Sequence, residues 1–205
     1  MAEDINKLVN GVISTKKLDG AETFKNAEGS LLAASDILDY WSWAYSDIVG
    51  NTTRGALAEF IVARAIGSEP AVRNDWAAYD LETPSGIKVE VKSSAYLQSW
   101  NQNTVSAPSF SIRKAKEWSP ETNEFGEERL RHSDVYVFCL LAYKGDKRML
   151  DPLDLSKWEF YVVKTSEIDR IFGERSSISI NRVKDISQAY SVDRLLDAVE
   201  AAYSD

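Results

Sequence analysis

The sequence predicts an α/β fold in which a mixed central sheet is flanked by helices. Two apolar runs, "DVYVFCLLAY" (134–143) and "WEFYVVKT" (158–165), are rich in β-branched and aromatic residues. Such runs are typical of strands that are buried on both faces. Helical patterns precede and follow them, at 51–67 and in an apolar stripe over 192–203. Because strands and helices alternate along the chain, we expect the helices to cover a mixed sheet.

The composition is that of one ordinary globular domain. The chain has 205 residues, of which 44% are hydrophobic, and this length can bury a substantial core. Residues 1–30 are polar and only weakly periodic. We therefore expect a loosely packed N-terminal arm over 1–30, with one helix in it as an option. Residues 31–205 are expected to form a single domain.

Several kinds of protein are excluded or disfavoured by what the sequence lacks. Its single cysteine, Cys139, excludes an internal disulfide and a multi-cysteine zinc site. Its single histidine, His132, excludes histidine-rich metal sites and is expected to lie in a loop before a strand. No apolar run is long enough to span a bilayer, and the first residues lack the features of a signal peptide. These absences lead us to expect a cytoplasmic protein without membrane contacts.

The charge balance bears on nucleic-acid binding. The net charge of −8 disfavours a protein that coats nucleic acid, because nonspecific affinity comes largely from Lys and Arg at phosphates. A local basic groove on an acidic body is still compatible with that total. The best basic cluster is Arg113, Lys114 and Lys116, and a second one contains Arg129 and Arg131. We expect the first cluster to contact nucleic acid, with a solvated surface as the alternative for both.

The segment 30–50, "SLLAASDILDYWSWAYSDIVG", is predicted to be helical and to end at Gly50. It carries four clustered aromatic side chains, Tyr40, Trp41, Trp43 and Tyr45. Aromatic clusters can stack on bases, but we predict core packing for this one, since most aromatic surface in proteins is buried.

The next segment, 51–67, is predicted to be a helix that packs against the sheet. Thr52 or Thr53 can cap its start, and Gly67 fits the left-handed position just past its end. Glu59 stands out because its helical neighbours three and four positions away include no cation. A carboxylate in such a place lies either at the rim of the helix or where its charge is needed.

Residues 79–96, "YDLETPSGIKVEVKSSAY", are predicted to form a β-hairpin. Apolar side chains at 87, 89 and 91 alternate with Lys88, Glu90 and Lys92, so Glu90 and Lys92 share one face. The "PSG" sequence at 84–86 suits a three-residue loop with Gly86 in the left-handed position. This loop sets Asp80 opposite Glu90.

An internal check supports that register. The same loop pairs Leu81 with Val89 and Tyr79 with Val91, which places four apolar side chains together on the other face. A two-residue loop would mix polar and apolar side chains on both faces, because a shift of one residue inverts the strand. We therefore predict the register that pairs Asp80 with Glu90.

Two opposed carboxylates about 5 Å apart at their side-chain bases repel each other unless a cation lies between them. Carboxylate oxygens are ligands that Mg²⁺ prefers, and Mn²⁺ can substitute for it. Lys92 lies about 6.6 Å further along the strand than Glu90. From that position its ammonium could orient a water or hold a phosphate oxygen. The alternative is an edge hairpin whose charged face is simply solvated.

The residues Asp80, then nine positions, then Glu90-Val91-Lys92 resemble the core motif of the PD-(D/E)xK nuclease superfamily, which has the restriction-endonuclease-like fold. The proline of the motif's name is absent, and Tyr79 precedes Asp80. The resemblance spans roughly 50–165 and implies a metal-dependent nuclease. It implies that Asp80 and Glu90 hold the metal with the backbone carbonyl of Val91, and that Glu59 completes the site from the preceding helix.

The leading hypothesis is a Mg²⁺-dependent nuclease that hydrolyses phosphodiester bonds in DNA, with a homodimer as an option. Lys92 would position the attacking water and offset charge in the transition state. Gln98 follows closely enough to contact the phosphate or that water, and an ordinary surface amide is the alternative. A catalytically inactive nucleic-acid-binding or assembly subunit of the same fold is the second hypothesis. A hydrolase of small phosphorylated substrates is the third, without support from a "GxxxxGK[ST]" loop.

Overall fold

The computed structural model describes residue 13 and residues 15–68 and 72–204. The helices are α1 (Ile37–Tyr45), α2 (Asn51–Ala65), α3 (Thr165–Phe172), α4 (Ile180–Lys184) and α5 (Leu195–Ser204). The strands are β1 (Thr23–Lys25), β2 (Leu31–Asp36), β3 (Leu81–Glu82), β4 (Lys88–Ala95), β5 (Ser109–Ser111), β6 (Trp118–Ser119), β7 (Glu124–Phe125), β8 (Val135–Leu141), β9 (Trp158–Lys164) and β10 (Ser177–Ser179). Within these described ranges, no helix is long and apolar enough to cross a membrane.

A four-stranded sheet in the order β3-β4-β8-β9 forms the centre of the domain. Strand β4 is antiparallel to β3 and parallel to β8, and β8 is antiparallel to β9. Three smaller two-stranded pairs, β1-β2, β5-β10 and β6-β7, lie outside it. The predicted mixed sheet with flanking helices is confirmed.

The two faces of β8 belong to two separate cores. Val135, Val137, Cys139 and Leu141 pack in the core that is covered by α2 and α5. Tyr136, Phe138 and Leu140 pack in the core that contains α3, β5 and β10. All seven residues of β8 are buried, which explains why its sequence is a continuous apolar run rather than an alternating one.

The hairpin between β3 and β4 has the predicted register. Leu81 pairs with Val89 and Glu82 with Lys88, and the Gly86 amide donates to the carbonyl of Thr83 at 2.9 Å. Gly86 has φ of +87°, the left-handed conformation that the loop requires.

The prediction that Tyr79 packs on the apolar face of the hairpin is wrong. Its hydroxyl donates to Glu82 Oε2 at 2.7 Å, and Lys88 Nζ lies 5.2 Å from the centre of its ring. The ladder ends at Leu81, because the Asp80 amide donates to the carbonyl of Val89 and the chain then turns away.

The predicted helix over 30–50 is only partly correct. Residues Leu31–Asp36 form β2, which pairs with β1, and α1 begins at Ile37. The side chain of Asp36 accepts from the Asp39 amide and the side chain of Asp39 accepts from the Asp36 amide, so a capping box starts the helix here. Local capping and strand pairing thus outweigh the helical pattern of the earlier residues.

The prediction that the aromatic cluster of α1 packs in the core is also wrong. No residue of α1 is buried, and Trp43 is 84% exposed. Tyr40 and Tyr45 contact each other edge to face at 6.1 Å between ring centres. The helix packs beside the β1-β2 hairpin rather than against the central sheet, so its aromatic side chains lie on the surface.

Three further local predictions have different outcomes. Residues 1–12 and 14 of the predicted arm lie outside the described residues, and the rest of it, up to residue 30, contains β1 and no helix. Helix α2 begins at Asn51 with Gly50 as its N-cap and without a side-chain cap, so the predicted threonine cap is wrong. The left-handed conformation of Gly67 is confirmed by its φ of +70°.

Replacing Gly86 with alanine should destabilise the protein by about 1–2 kcal/mol, because an L-residue is strained in the left-handed region. The added Cβ would meet no heavy atom closer than Glu82 Oε1 at 4.0 Å, so the loss is conformational and not steric. Gly55→Ala is the matched control, since this glycine lies in the interior of α2 with no atom within 4 Å of the added Cβ. It should stabilise the protein by about 0.5–1 kcal/mol. Urea denaturation of both variants measures these effects, and a Gly86→Ala variant as stable as the wild type would contradict the turn assignment.

Candidate active site

The carboxylate of Asp80 is held against the edge of the central sheet. Strand β3 has only two residues, so β4 lacks a strand neighbour on that side beyond Val89. Asp80 Oδ2 accepts a hydrogen bond from the Val91 amide at 2.7 Å. The carboxylate therefore occupies the place that a strand carbonyl would take, and the backbone of β4 fixes its position.

Glu90 and Lys92 complete a group with Asp80. Lys92 Nζ forms an ion pair with Glu90 Oε1 and lies 4.0 Å from Asp80 Oδ2. The three side chains are 19–27% exposed. The structure thus brings together the three residues that the hairpin pattern predicted, and the ammonium of Lys92 lies close enough to both carboxylates to offset their repulsion.

Burial and charge perturb the acid–base behaviour of this group. Burial raises the pKa of Asp80 to about 6, the negative charges of Glu90 and Glu59 add to the rise, and Lys92 and the Val91 amide oppose it. Burial lowers the pKa of Lys92, but the charges of Glu90 and Asp80 outweigh it, so the net pKa is raised. Lys92 is therefore a stable cation at neutral pH, while Asp80 is close to its titration point.

Tyr136 is a neighbour of the site that the sequence did not reveal. It lies directly across from Glu90 in the parallel pairing of β4 with β8, and it is 3% exposed. Burial and the negative charge of Glu90 raise the pKa of its hydroxyl, with a smaller rise from Asp80 and an opposing effect of Arg131. In the sequence this tyrosine belongs to a buried apolar run, and only the pairing of distant strands places it beside a carboxylate.

Glu59 lies beside Asp80 but has a cation of its own. The guanidinium of Arg73 contacts both of its carboxylate oxygens, with Nε–Oε2 at 2.5 Å and Nη2–Oε1 at 2.8 Å. Glu59, Arg73 and Asp80 line one cavity of about 520 Å³. The helix of Glu59 supplies no cation, as predicted, and its partner comes instead from the loop before β3. Its role as a metal ligand stays a prediction, and one that requires Arg73 to release it.

Gln98 is a buried residue and not a surface amide. Its Nε2 donates to the carbonyl of Ala95 at 2.9 Å, and its Oε1 accepts from Arg54 Nη1 at 3.5 Å. It follows the far end of β4, and the structure does not bring it into the Asp80–Glu90–Lys92 group. Contact between Gln98 and a phosphate stays a prediction.

The two predicted basic clusters differ in the solvent exposure and the ion pairing of their side chains. Arg113 and Lys116 are exposed, and Lys114 pairs with Glu174 at 2.6 Å. The side chain of Arg131 is fully buried, forms an ion pair with Asp169 and donates to three backbone carbonyls. Arg131 is therefore a structural residue and neither a solvated nor a substrate-facing one, which corrects the expectation for the second cluster. His132 lies in a loop, as predicted, with Nε2 at 2.9 Å from the carbonyl of Ala115.

The donor set of the site suits a hard cation that shares its coordination shell with substrate and water. Among the described residues, no group of three His, Cys, Asp or Glu side chains is arranged to hold a metal ion. Mg²⁺ is commonly bound through only one or two carboxylates, with waters and substrate phosphates completing the shell. Asp80 and Glu90 provide such a pair.

Asp80→Asn should stabilise the metal-free protein, and the gain should depend on pH. Asparagine keeps an oxygen acceptor for the Val91 amide but carries no charge. Because the pKa of Asp80 rises from 3.8 to about 6 on folding, the folded state binds its proton more tightly, and stability falls as pH rises from about 4 to 6. Above pH 6 the variant should be more stable by up to roughly 3 kcal/mol, and near pH 4 the difference should vanish.

Chemical denaturation in EDTA at pH 4.5 and 7.5 measures that difference. Glu128→Gln, which removes one exposed negative charge far along the chain, serves as the control. A gain for Asp80→Asn that is the same at both pH values would show that the carboxylate is not destabilised by its site.

The comparisons with known proteins give one solved structure of low similarity and one family match. A solved structure, that of the bacterial homing endonuclease I-Ssp6803I, is similar over 63% of this chain and 76% of that chain, with 20% sequence identity and a TM-score of 0.35. No curated protein sequence matches the chain. The family model "Bacteriophage T4 endonuclease IV" matches residues 35–182, which is more than half of the chain and includes α2, the hairpin and the whole central sheet. The chain therefore belongs to the bacteriophage T4 endonuclease IV family and is a nuclease.

Proposed function

We propose that this nuclease is a metal-dependent endonuclease of the PD-(D/E)xK kind that hydrolyses phosphodiester bonds in DNA. The observation that carries the proposal is the group formed by Asp80, Glu90 and Lys92 at the open edge of β4. Two partly buried carboxylates and one ammonium lie within direct or near contact there. Asp80 is also destabilised as an anion, since its pKa is raised to about 6. A site in that condition gains from binding a cation.

Mg²⁺, or Mn²⁺ in its place, would be held by Asp80 and Glu90. The backbone carbonyl of Val91 would be a further ligand, since the N–H and C=O of one strand residue point to the same side and the Val91 N–H faces Asp80. When bound, the ion would supply Lewis-acid chemistry at the phosphate and lower the pKa of water in the site. All of these donors are oxygens, as hard cations require.

Lys92 acts in this proposal as a permanent cation. Its raised pKa keeps it protonated at neutral pH, so it serves as a hydrogen-bond donor and not as a general base. It would hold a phosphate oxygen or orient the attacking water, and it would stabilise the negative charge that develops in the transition state. Its ion pair with Glu90 fixes the ammonium in advance.

An inactive nucleic-acid-binding protein of the same fold is the second candidate. It is favoured by the fact that Lys92 and Arg73 already pair with Glu90 and Glu59. In a protein of this fold without catalytic activity, such ion pairs would neutralise the acidic residues in place of a metal ion. The two candidates differ in whether the purified protein cleaves DNA.

Lys92→Ala should lower the rate of DNA cleavage in Mg²⁺ by at least about 100-fold, the scale seen when one preorganised donor is removed from a reacting oxygen. Lys88→Ala is the matched control, because Lys88 lies on the same strand but is exposed and stacks over Tyr79. It should cleave like the wild type. Timed digestion of plasmid DNA and of RNA by the three proteins gives the rates and tests the preference for DNA. Wild-type cleavage by the Lys92→Ala variant would place the active site elsewhere, and no cleavage by any of the three would favour the inactive protein.

Glu59→Gln should have a smaller effect than Lys92→Ala, since Glu59 lies at the edge of the site and pairs with Arg73. If Glu59 supports the metal site, the Mg²⁺ concentration for half-maximal cleavage should rise by about 10–100-fold, as for other residues that support metal ligands. A Mg²⁺ titration of the cleavage rate measures this. An unchanged titration curve, with a loss of thermal stability, would make Glu59 only the structural partner of Arg73.

A further inference from the structure

Arg54 is a buried arginine without an acidic partner. It is the fourth residue of α2 and is 3% exposed. In the part of the chain that the structure describes, no carboxylate lies within 4.0 Å of its guanidinium. Arg131, the other buried arginine, pairs with Asp169. Arg54 thus carries a positive charge into the protein without a negative one to balance it.

The hydrogen bonds of Arg54 go to neutral oxygens only. Nε donates to Ser93 Oγ at 3.2 Å, and Nη2 donates to Asn51 Oδ1 at 2.7 Å. Nη1 donates to the carbonyl of Val49 at 2.8 Å and to Gln98 Oε1 at 3.5 Å. These bonds fix the plane of the guanidinium but leave its charge uncompensated.

An unbalanced buried charge is unfavourable. Removing an ion from water still costs several kcal/mol after the protein relaxes, and neutral hydrogen bonds offset only part of that loss. Burial accordingly lowers the pKa of Arg54. A hydrophobic or neutral residue would fill the same space without this penalty, so the positive charge needs a reason other than stability.

The space around Arg54 has the character of an anion site. The guanidinium lines a cavity of about 330 Å³ together with polar side chains, namely Asn51, Ser93, Ser94, Gln98 and Ser106. The first turn of α2 borders it, and Gly50 provides no side-chain cap for the amides of that turn. The positive end of the helix dipole and a fixed guanidinium therefore act on the same region.

The location of this cavity connects it with the active site. Ser93, which accepts from Arg54, follows Lys92 on β4, so the two side chains leave opposite faces of the sheet. Both positions lie along the edge of β4 that β3 leaves unpaired, and they are about 3.3 Å apart along that edge. A nucleic acid strand with one phosphate at Lys92 would carry its next phosphates at intervals of a few ångströms along its axis. A second anion site beside the first is what such a strand requires.

We propose that Arg54 binds a phosphodiester group of the nucleic acid strand next to the one that is cleaved, with Asn51 and Gln98 orienting its guanidinium. The inference rests on the proposed function, because it takes the phosphate at Lys92 as its reference point. Arg54 is a substrate-binding residue here, and it fixes the register of the strand in the active site without reading its bases.

The alternative is that Arg54 has a purely structural role. Its hydrogen bonds would then serve only to connect the turn before α2 with the middle of β4 and with the segment after β4. Both roles predict that Arg54→Gln lowers stability. They differ in their effect on the salt dependence of DNA binding, because only a residue that contacts a phosphate contributes to the release of counterions.

The test measures binding of a duplex oligonucleotide by the full-length protein in EDTA over a range of salt concentrations, so that cleavage plays no part. For Arg54→Gln, the magnitude of the slope of log K against log salt should fall by about 0.9, the value for one phosphate contact on duplex DNA. Arg54→Lys keeps the charge and should retain most of the slope. Arg131→Gln, which removes a buried arginine that has its own carboxylate, should leave the slope unchanged.

Gln98→Glu is a second variant that does not depend on the loss of Arg54. It places a carboxylate against the guanidinium and supplies the missing counter-charge, so it should also lower the slope by about 0.9. If Arg54→Gln does not fold, the salt dependence of Gln98→Glu alone tests whether Arg54 binds a phosphate. A wild-type slope in folded Arg54→Gln, a wild-type slope in Gln98→Glu, or no binding of DNA by the wild type would each overturn the proposal.

The phosphate site at Arg54 and the metal-dependent nuclease activity can each be present without the other. If the wild type binds DNA and loses the salt slope with Arg54→Gln but cleaves no substrate in Mg²⁺, the phosphate site stands and the metal-dependent nuclease does not. If the wild type cleaves DNA and Lys92→Ala does not, while the Arg54 variants bind with wild-type slopes, the nuclease stands and the phosphate site at Arg54 does not.

Discussion

The hydrogen bond from the Val91 amide to the carboxylate of Asp80 is the constraint on which the site depends. It is available because β3 ends after two residues and leaves the amide at the edge of β4 without a strand partner. The same bond satisfies a backbone donor and positions a carboxylate next to Glu90 and Lys92. The candidate site is therefore part of the sheet edge, and a longer β3 would remove the place that Asp80 occupies.

Negative and positive side chains are concentrated at different places along this edge of the sheet. Asp80, Glu90 and Glu59 bring three carboxylates close to one another, and Lys92 and Arg73 pair with two of them. Burial, with smaller contributions from the charges of Glu90 and Glu59, raises the pKa of Asp80 in spite of Lys92. Arg54 of α2, which contacts β4 at Ser93, has the opposite condition, because its positive charge has no carboxylate beside it among the described residues. An excess of negative charge and an unbalanced positive charge thus lie next to each other along one edge of the sheet. The proposed metal ion and the proposed phosphate site would each offset one of them.

Local patterns predicted well where local forces decide the structure. The "PSG" loop, the left-handed Gly86 and the alternation over 87–92 fixed the hairpin register, because turn geometry and side-chain period act within a few residues. The prediction of one helix over 30–50 was only partly correct, and the reason is again local. The first residues of this segment follow a helical pattern, but pairing with β1 and the capping box at Asp36 move the start of the helix to Ile37.

By itself, the sequence determined the mixed α/β fold and the grouping of Asp80, Glu90 and Lys92, since one hairpin contains all three residues. Only the tertiary structure decided which other residues surround that group. Arg73 reaches Glu59 from a loop, Tyr136 comes beside Glu90 through the parallel pairing of distant strands, and Arg54 meets Ser93 because α2 packs on β4. These contacts join residues separated by 14 to 46 positions. No periodicity of a single helix or strand extends that far, so such pairs form only when whole elements pack.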